Sequence, residues 1–177
     1  MSAAPIRIRT SGLQEQQVGD VVKLEESLAT TQKGWEPRSL AGVVGLTKLH
    51  NVRVADSDDV VLGWVAWRDE SPGVGVVEHL AVHPRFQRCG VGHALLEVVR
   101  GEARGVSLEH LVVRVPEGAS AAKAFLRKEG FVPLDDKAGQ RVLDWRDEQT
   151  AKGPLAEEGD RVLWATVGAS AAPRSES

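Results

Sequence analysis

The sequence predicts a mixed α/β fold of the α+β type, with one central sheet of about seven strands and about four flanking helices. Three observations predict it. Two apolar runs of strand length, 60–67 and 74–82, flank a Ser71-Pro72-Gly73 turn signal and make a strand meander. At Gly90 the apolar period changes to that of a helix. The order along the chain is strand, two helices, strand meander, helix, strand, helix, two strands, which is not the strict alternation of a doubly wound parallel sheet.

Taken in order, residues 6–9 alternate apolar and charged and predict a short first strand. Residues 14–28 predict an amphipathic helix on Val18, Val21, Val22, Leu24, Glu25 and Leu28, and 30–37 break it. Ser39 is placed as the N-cap of a second helix carrying Leu40, Val43, Val44 and Leu46, weakened by its glycines. Residues 52–55 predict a strand, followed by a turn at Asp56-Ser57-Asp58-Asp59. The run 74–82 is expected to be buried on both faces. Val91, Leu95, Leu96, Val98 and Val99 form one wide helical stripe that ends near Gly105. Residues 111–115 predict a strand. Residues 120–129 predict a short helix with Ala121, Ala124 and Phe125 on one face, and Gly130 occupies the place of a left-handed C-terminal cap. Residues 131–134 and 162–167 predict the last strands. The long polar connection 135–160 between them holds a short helix around 141–149. Trp64, Trp67 and Trp164 fall in strand-like runs and are expected in the core, whereas His50 and His110 read as exposed turn residues.

At 177 residues, a folded chain buries roughly 70% of its unfolded surface. We expect a single domain over 1–167 and a flexible tail over 168–177, without internal repeats. A hydrophobic content of 42% and a net charge of −3 argue against an extended disordered chain and give no support to a nucleic-acid partner. One Cys excludes an intrachain disulfide framework and a Cys-rich zinc module. No long apolar run or signal-peptide core is present, so no membrane partner is expected and the localisation expected is cytoplasmic. Tyr is absent from the chain.

The most informative stretch is Val82-His83-Pro84-Arg85-Phe86-Gln87-Arg88-Cys89-Gly90-Val91-Gly92-His93, where an apolar strand runs through a Gly-containing turn into an amphipathic helix. Free N–H groups and the dipole at such a helix start favour a phosphate. Gly90 and Gly92 let phosphate oxygens approach the backbone, and Arg88, with Arg85 as a second candidate, adds positive charge. The third Gly of a dinucleotide fingerprint is missing, as is the Lys-Ser/Thr of a P-loop. An ordinary tight turn is the plain alternative.

This stretch resembles the signature Gln/Arg-x-x-Gly-x-Gly/Ala of the GCN5-related N-acetyltransferase (GNAT) superfamily, here Gln87-Arg88-Cys89-Gly90-Val91-Gly92 preceded by Leu80-Ala81-Val82-His83-Pro84. A second block, strand, short helix and Gly-Phe, runs from Leu111 through Phe131. The likeness spans about 60–134, and Glu78 on the fourth strand is similar to the phosphinothricin-type branch. The resemblance implies a mostly antiparallel sheet whose fourth and fifth strands splay apart to admit acetyl-CoA as co-substrate. It implies that Leu80, Ala81 and Val82 bind pantetheine through their main chain. It also implies that Gln87 through His93 (Gln87, Arg88, Cys89, Gly90, Val91, Gly92, His93) form the cofactor-binding loop. Cys89 reads as a small side chain at a variable loop position, with no adjacent base to make it a nucleophile.

Acetyl transfer to an amine needs the neutral amine, and with a pKa near about 10.4 only about 0.1% or less is neutral at pH 7. A general base therefore contributes about 10²–10⁴. The Tyr that many family members use as acid falls on Leu126, the Asn of that helix start on Ala119, and the strand Glu of protein N-terminal acetylating members on Arg114. Glu78 is the first candidate base, because a carboxylate in an apolar run is costly to bury and, desolvated, takes a proton nearer neutrality. Its alternatives are a structural Glu paired with an Arg such as Arg114, or a site for the substrate ammonium. His79 is the other catalytic candidate, against a packed or edge histidine. His83 and His93 fit phosphate contact or exposure. Trp35, Glu36 and Arg38 lie in the break after the first helix, which in this family covers the acceptor, so they are candidate substrate-binding residues, with a surface staple as the alternative for Trp35. No His pair has metal-ligand spacing with supporting carboxylates, so no metal is expected.

The expected function is acetyl transfer from acetyl-CoA to a primary amine of a small molecule, by direct attack in a ternary complex. The alternatives are a protein or peptide amine acceptor, or a non-catalytic acyl-CoA-binding regulatory module, which the missing Tyr favours. Homodimerisation stays open.

Overall fold

A computed structural model describes residues 7–116, 118–153 and 161–168. Its strands are β1 (Arg9–Gly12), β2 (Asn51–Ser57), β3 (Val60–Ser71), β4 (Val74–Val82), β5 (His110–Val115), β6 (Val132–Pro133) and β7 (Arg161–Thr166). Its helices are α1 (Val18–Thr31), α2 (Leu40–Leu49), α3 (Val91–Gly105), α4 (Ser120–Lys128) and α5 (Gln140–Lys152), with 3₁₀ turns at Glu15–Gln17 and Pro84–Phe86. The strands form one seven-stranded sheet in the order β1-β2-β3-β4-β5-β7-β6. β1–β2, β2–β3, β5–β7 and β6–β7 are antiparallel. β4–β5 is parallel, with Val74–Val77 beside His110–Val113. This is the mixed, mostly antiparallel architecture expected. The chain divides into two compact units, one holding residues up to 68 and 78–99, the other 69–77 and residues from 100 onward.

In the first unit, α1 and α2 lay an apolar stripe on the sheet. Val21, Leu24, Leu28 and Val43 bury against Val54 and Trp64, each removing side-chain area worth roughly 1.5–3 kcal/mol. Ser39 caps α2 as expected, its Oγ accepting from Gly42 N at 3.2 Å. The first strand lies later than predicted: it begins at Arg9, and Ile6 is outside the described residues. Alternation marks a strand-like segment, but the partner ladder decides which residues join. Here Arg9 pairs with Asp56, and the Arg9 guanidinium donates to the Asp56 carboxylate at 2.8 Å. The predicted four-residue turn at 56–59 shrinks to Asp58-Asp59. Asp56 and Ser57 still pair with β3, past a register shift at Ala55/Asp56, while Asp58 and Asp59 hold φ of 48° and 64°. Two successive positive φ values match the twist of a tight hairpin.

In the second unit, Val74, Val76 and Val112 pack with Ala138, Val142 and Trp145. Burial of β4 on both faces holds only for Val74–Val77; from Glu78 the strand is partly open. The short helix expected near 141–149 is the longer α5, so five α-helices, not four, are found among the described residues. On α4 the buried residue is Leu126, while Phe125 is partly buried and Ala121 and Ala124 are exposed: the helix turns a neighbouring face to the core, about 100° per residue from the one expected. Gly130 has φ +88°, and Phe131 N donates to Leu126 O at 2.9 Å, closing the helix in the left-handed manner expected. The strand predicted at 131–134 narrows to β6. His110 is not an exposed turn residue. It sits on β5, its ring edge-on to Trp164, and burial pushes its pKa down, with Glu109 opposing and Arg141 assisting. His50 is likewise half-buried at the end of α2. The expected tail from 169 onward lies outside the described residues, and no helix among those described is long and apolar enough to cross a membrane.

Candidate active site

All the residues expected at the site other than those of the second sequence block lie in the first unit. The loop is built by three local devices. His83 N donates to Leu62 O at 2.8 Å, tying the end of β4 to β3. The 3₁₀ turn Pro84–Phe86 then starts with His83 Nδ1 accepting from Arg85 N at 3.2 Å. Burial, and next the charge of Arg85, lower the His83 pKa, which keeps that nitrogen an acceptor. Gln87 Nε2 donates to Val82 O at 3.2 Å and Cys89 Sγ reaches Gln87 O at 3.6 Å, so side chains of the loop fold back on its own carbonyls. Arg88 and Gly90 take φ of 62° and 85°. Left-handed backbone is open to Gly but costs a non-Gly residue about 1–2 kcal/mol, strain of a kind that concentrates at ligand clamps.

Ala94 N donates to Gly90 O, closing the first turn of α3, so that Val91 and Gly92 stand at the helix start ahead of its first i→i−4 bond. Val91, Leu95, Leu96 and Val99 are buried and hold the helix start in place. Arg85, Arg88, Cys89 and Gly90 are exposed. Gly63 of β3 makes the close packing here feasible: a Cβ on it would stand 2.8 Å from Ala81 O, 3.0 Å from Val91 Cγ1 and 3.2 Å from Leu95 Cδ1. Ala81 is buried, while Leu80 and Val82 are partly open.

Glu78 is exposed, so the burial on which its candidacy was argued is absent. The apolar run around it predicted a covered strand, but β4 is covered only up to Val77. His79 lies on the opposite face, with a side chain 10% exposed, and its Nε2 is 2.7 Å from Glu25 Oε1. The imidazole is packed against Trp64 (centroids 4.6 Å apart) and edge-on to Trp35 (5.5 Å). Glu25 is fully buried on α1 and holds four donors. Oε1 receives Trp64 Nε1 (2.8 Å) and His79, and Oε2 receives Trp35 Nε1 (3.1 Å) and Arg38 N (3.1 Å). Burial works to raise the Glu25 pKa, but the His79 hydrogen bond and charge, with the Arg38 amide and Trp64, outweigh it and hold the carboxyl below its ordinary value.

Of the acceptor-segment candidates, Trp35 is thus half-buried and tethered, and Arg38 engages through its backbone; Glu36 and the Arg38 side chain are exposed. Sequence reasoning placed Glu25 on the apolar stripe of α1 without assigning it a role. A charged residue beside Val21, Leu24 and Leu28 on a core-facing stripe was the available signal, since a buried carboxylate needs partners.

Residues 48–133 match the family model described as an acetyltransferase (GNAT) domain. Mycothiol acetyltransferase of Thermomonospora curvata is 33% identical over 97 residues, covering 54% of this chain and 32% of that protein. The Salinispora arenicola protein of the same name is 29% identical over 101 residues, covering 55% and 33%. The chain therefore spans about a third of the length of the curated relatives it matches. Among solved structures, a GNAT-family acetyltransferase from Staphylococcus aureus superposes with a TM-score of 0.72 at 9% identity, covering 91% of this chain and 99% of that one. The PaiA N-acetyltransferase of Thermoplasma acidophilum, in complex with coenzyme A, gives 0.70 at 13% identity, with 91% and 99% covered. The ribosomal-protein-S18-alanine N-acetyltransferase of Escherichia coli gives 0.66 at 16% identity, with 96% and 98% covered. These structures share the fold, and the narrower phosphinothricin-type likeness gains no support from these matches. With residues 48–133, just under half of the chain, matched by the family model and its sheet and helices arranged as in solved members, the chain carries a match to the GNAT acetyltransferase domain and has the fold of that superfamily.

Proposed function

We propose that this chain transfers an acetyl group from acetyl-CoA to a primary amine of a small molecule. The observation that carries the reading is the start of α3, where the left-handed turn at Arg88 and Gly90 leads into the amides of Val91 and Gly92. These donors and the exposed Arg88 fit the pyrophosphate of acetyl-CoA. A Cβ on Gly90 would have to adopt φ +85°, so the turn itself selects the residue that leaves the backbone approachable. Leu80, Ala81 and Val82 offer main-chain groups to the pantetheine, with Val82 O already accepting one bond from Gln87. When bound, acetyl-CoA supplies an activated acyl group on a thiolate leaving group. The chain's part is to orient the acceptor, with Trp35, Glu36 and Arg38 as its candidate binding segment, and to take the proton the amine loses, with Glu78 or His79 as the base. The relatives named mycothiol acetyltransferase support a small-molecule acceptor.

One observation favours a second reading. Leu126, at the place of the family's acidic Tyr, is buried and carries no ionisable proton, and the chain has no Tyr. A domain that binds acyl-CoA without turnover would tolerate that. Release of free thiol from acetyl-CoA against a panel of amines, amino acid analogues, aminoglycosides and peptides decides between them, with calorimetry on the same sample. Turnover with a small amine is the expected outcome; tight binding with no turnover on the whole panel supports the binding module, and turnover confined to peptides moves the acceptor class. Measuring kcat and acetyl-CoA affinity of Glu78→Gln and His79→Gln side by side then names the base: its loss lowers kcat by about 10² with affinity retained.

A further inference from the structure

We infer that Glu25 is a positioning residue that fixes His79 as the base and Nδ1 as the atom that accepts the proton. The inference rests on the acetyl-transfer reading above. It follows from counting donors. The Glu25 carboxylate receives two hydrogen bonds on each oxygen, from Trp64 and His79 on Oε1 and from Trp35 and Arg38 N on Oε2. All four lone-pair directions are in use, so this carboxylate has no capacity left for a substrate ammonium and does not itself meet the reacting amine. Held ionised by these donors, it only accepts. The 2.7 Å contact therefore requires the proton on His79 Nε2. In the neutral imidazole, the other nitrogen, Nδ1, is then the acceptor.

The two indoles make the arrangement rigid. Trp64 and Trp35 pack on the imidazole while donating to the carboxylate that holds it, so ring plane and tautomer are set by one cluster. The same Oε2 fastens Trp35 and the Arg38 amide, which tethers the candidate acceptor segment to the base. In the reaction the acceptor nitrogen bonds to the acyl carbon as the C–S bond breaks. The amine proton goes to His79 Nδ1, and the thiol of CoA leaves as thiolate, to be protonated by that imidazolium or by water. During the step the imidazolium lies against a buried carboxylate, so charge created on His79 is balanced where it forms. Glu78, exposed on the other face of β4, has no such support.

The test is Glu25→Gln. The amide replaces one acceptor by a donor: turned towards Trp35 and Arg38 N its N–H meets two donors that cannot switch, whereas turned towards Oε1's partners it meets only Trp64 once His79 switches, so Nε2 becomes the acceptor with the proton on Nδ1. Proton–nitrogen correlation spectra of the histidine rings, assigned by the signals lost in His79→Gln, read the tautomer without any substrate. The wild type is expected as the Nε2–H form and Glu25→Gln as the Nδ1–H form, with kcat down roughly 10²-fold and KM for acetyl-CoA changed by less than about threefold. A wild-type Nδ1–H tautomer, or an unchanged tautomer and kcat in Glu25→Gln, overturns the inference. So does loss of kcat in Glu78→Gln with full activity in His79→Gln, which leaves acetyl transfer itself standing. If Glu25→Gln does not fold, the wild-type tautomer and the kcat of His79→Gln still decide. Absence of turnover by the wild type on every amine defeats the acetyl-transfer reading and, with it, the role of His79 as base.

Discussion

Replacing Gly63 by Ala tests how the cofactor loop is held. Gly63 does not occupy the left-handed region, so its backbone accepts Ala and packing alone sets the outcome. The new Cβ would lie 2.8 Å from Ala81 O, 3.0 Å from Val91 Cγ1 and 3.2 Å from Leu95 Cδ1. The first of these is a backbone atom of β4, and it cannot swing aside as a side chain does. Overpacking of this kind typically costs about 1–3 kcal/mol. The smaller unfolded-state entropy of Ala returns about 0.4–1 kcal/mol. The net is a loss of about 0–2.6 kcal/mol, centred near about 1.3 kcal/mol, which for a chain of this size lowers Tm by about 3–5 °C. The clash also presses apart Ala81 and Val91, two of the proposed cofactor contacts, so acetyl-CoA affinity by calorimetry should fall roughly threefold to tenfold. Gly101→Ala is the control. It lies on the same helix as Val91, with nothing within 4 Å of the added carbon, and should gain about 0.5–1 kcal/mol. Equal stability and equal affinity in the two variants would refute the close-packing argument.

Gly92→Trp should abolish acetyl-CoA binding while the melting temperature stays near the wild-type value; retained affinity by calorimetry removes the loop assignment. Arg100→Met leaves the buried Glu129 without the guanidinium that now donates to its carboxylate at 3.1 Å and to its carbonyl, and should destabilise by about 3–5 kcal/mol in denaturant titration. The His110 pKa is lowered by burial, so the unfolded state takes up the proton first. Stability from this group is present at neutral pH and is lost as pH falls below its ordinary value of 6.5. Thermal melts between pH 7 and pH 5 should accordingly show a shallower decline in His110→Gln than in the wild type; parallel slopes would contradict it.

The elements around the loop were legible because each carries a local signal. Ser39 before an apolar run marks a cap, Gly130 a left-handed helix end, and Pro72-Gly73 a turn whose Gly73 has φ +80°. The Gly90 turn was legible for the same reason: a strand, a positive φ at Gly and a helix stripe on Val91, Leu95 and Val99 are all within one short stretch. Boundaries that depend on a partner strand were not. β1 and β6 are set by which residues find a ladder on β2 and β7, and the bulge at Ala55/Asp56 extends β2 past its apolar run.

The sequence by itself determined the fold class, the order of the elements and the phosphate-loop motif, since periodicity, caps and turn chemistry act over a few residues. Only the tertiary structure decided what the carboxylates do. Glu78 sits in an apolar run yet faces solvent, and Glu25 sits on a helix stripe yet binds two tryptophans, a histidine and a backbone amide. The Trp64 and His79 partners stand 39 and 54 residues from Glu25 along the chain, brought to it by strands β3 and β4 packing under α1. Burial and hydrogen-bond saturation are sums over all neighbours in space, and no window of sequence contains those neighbours.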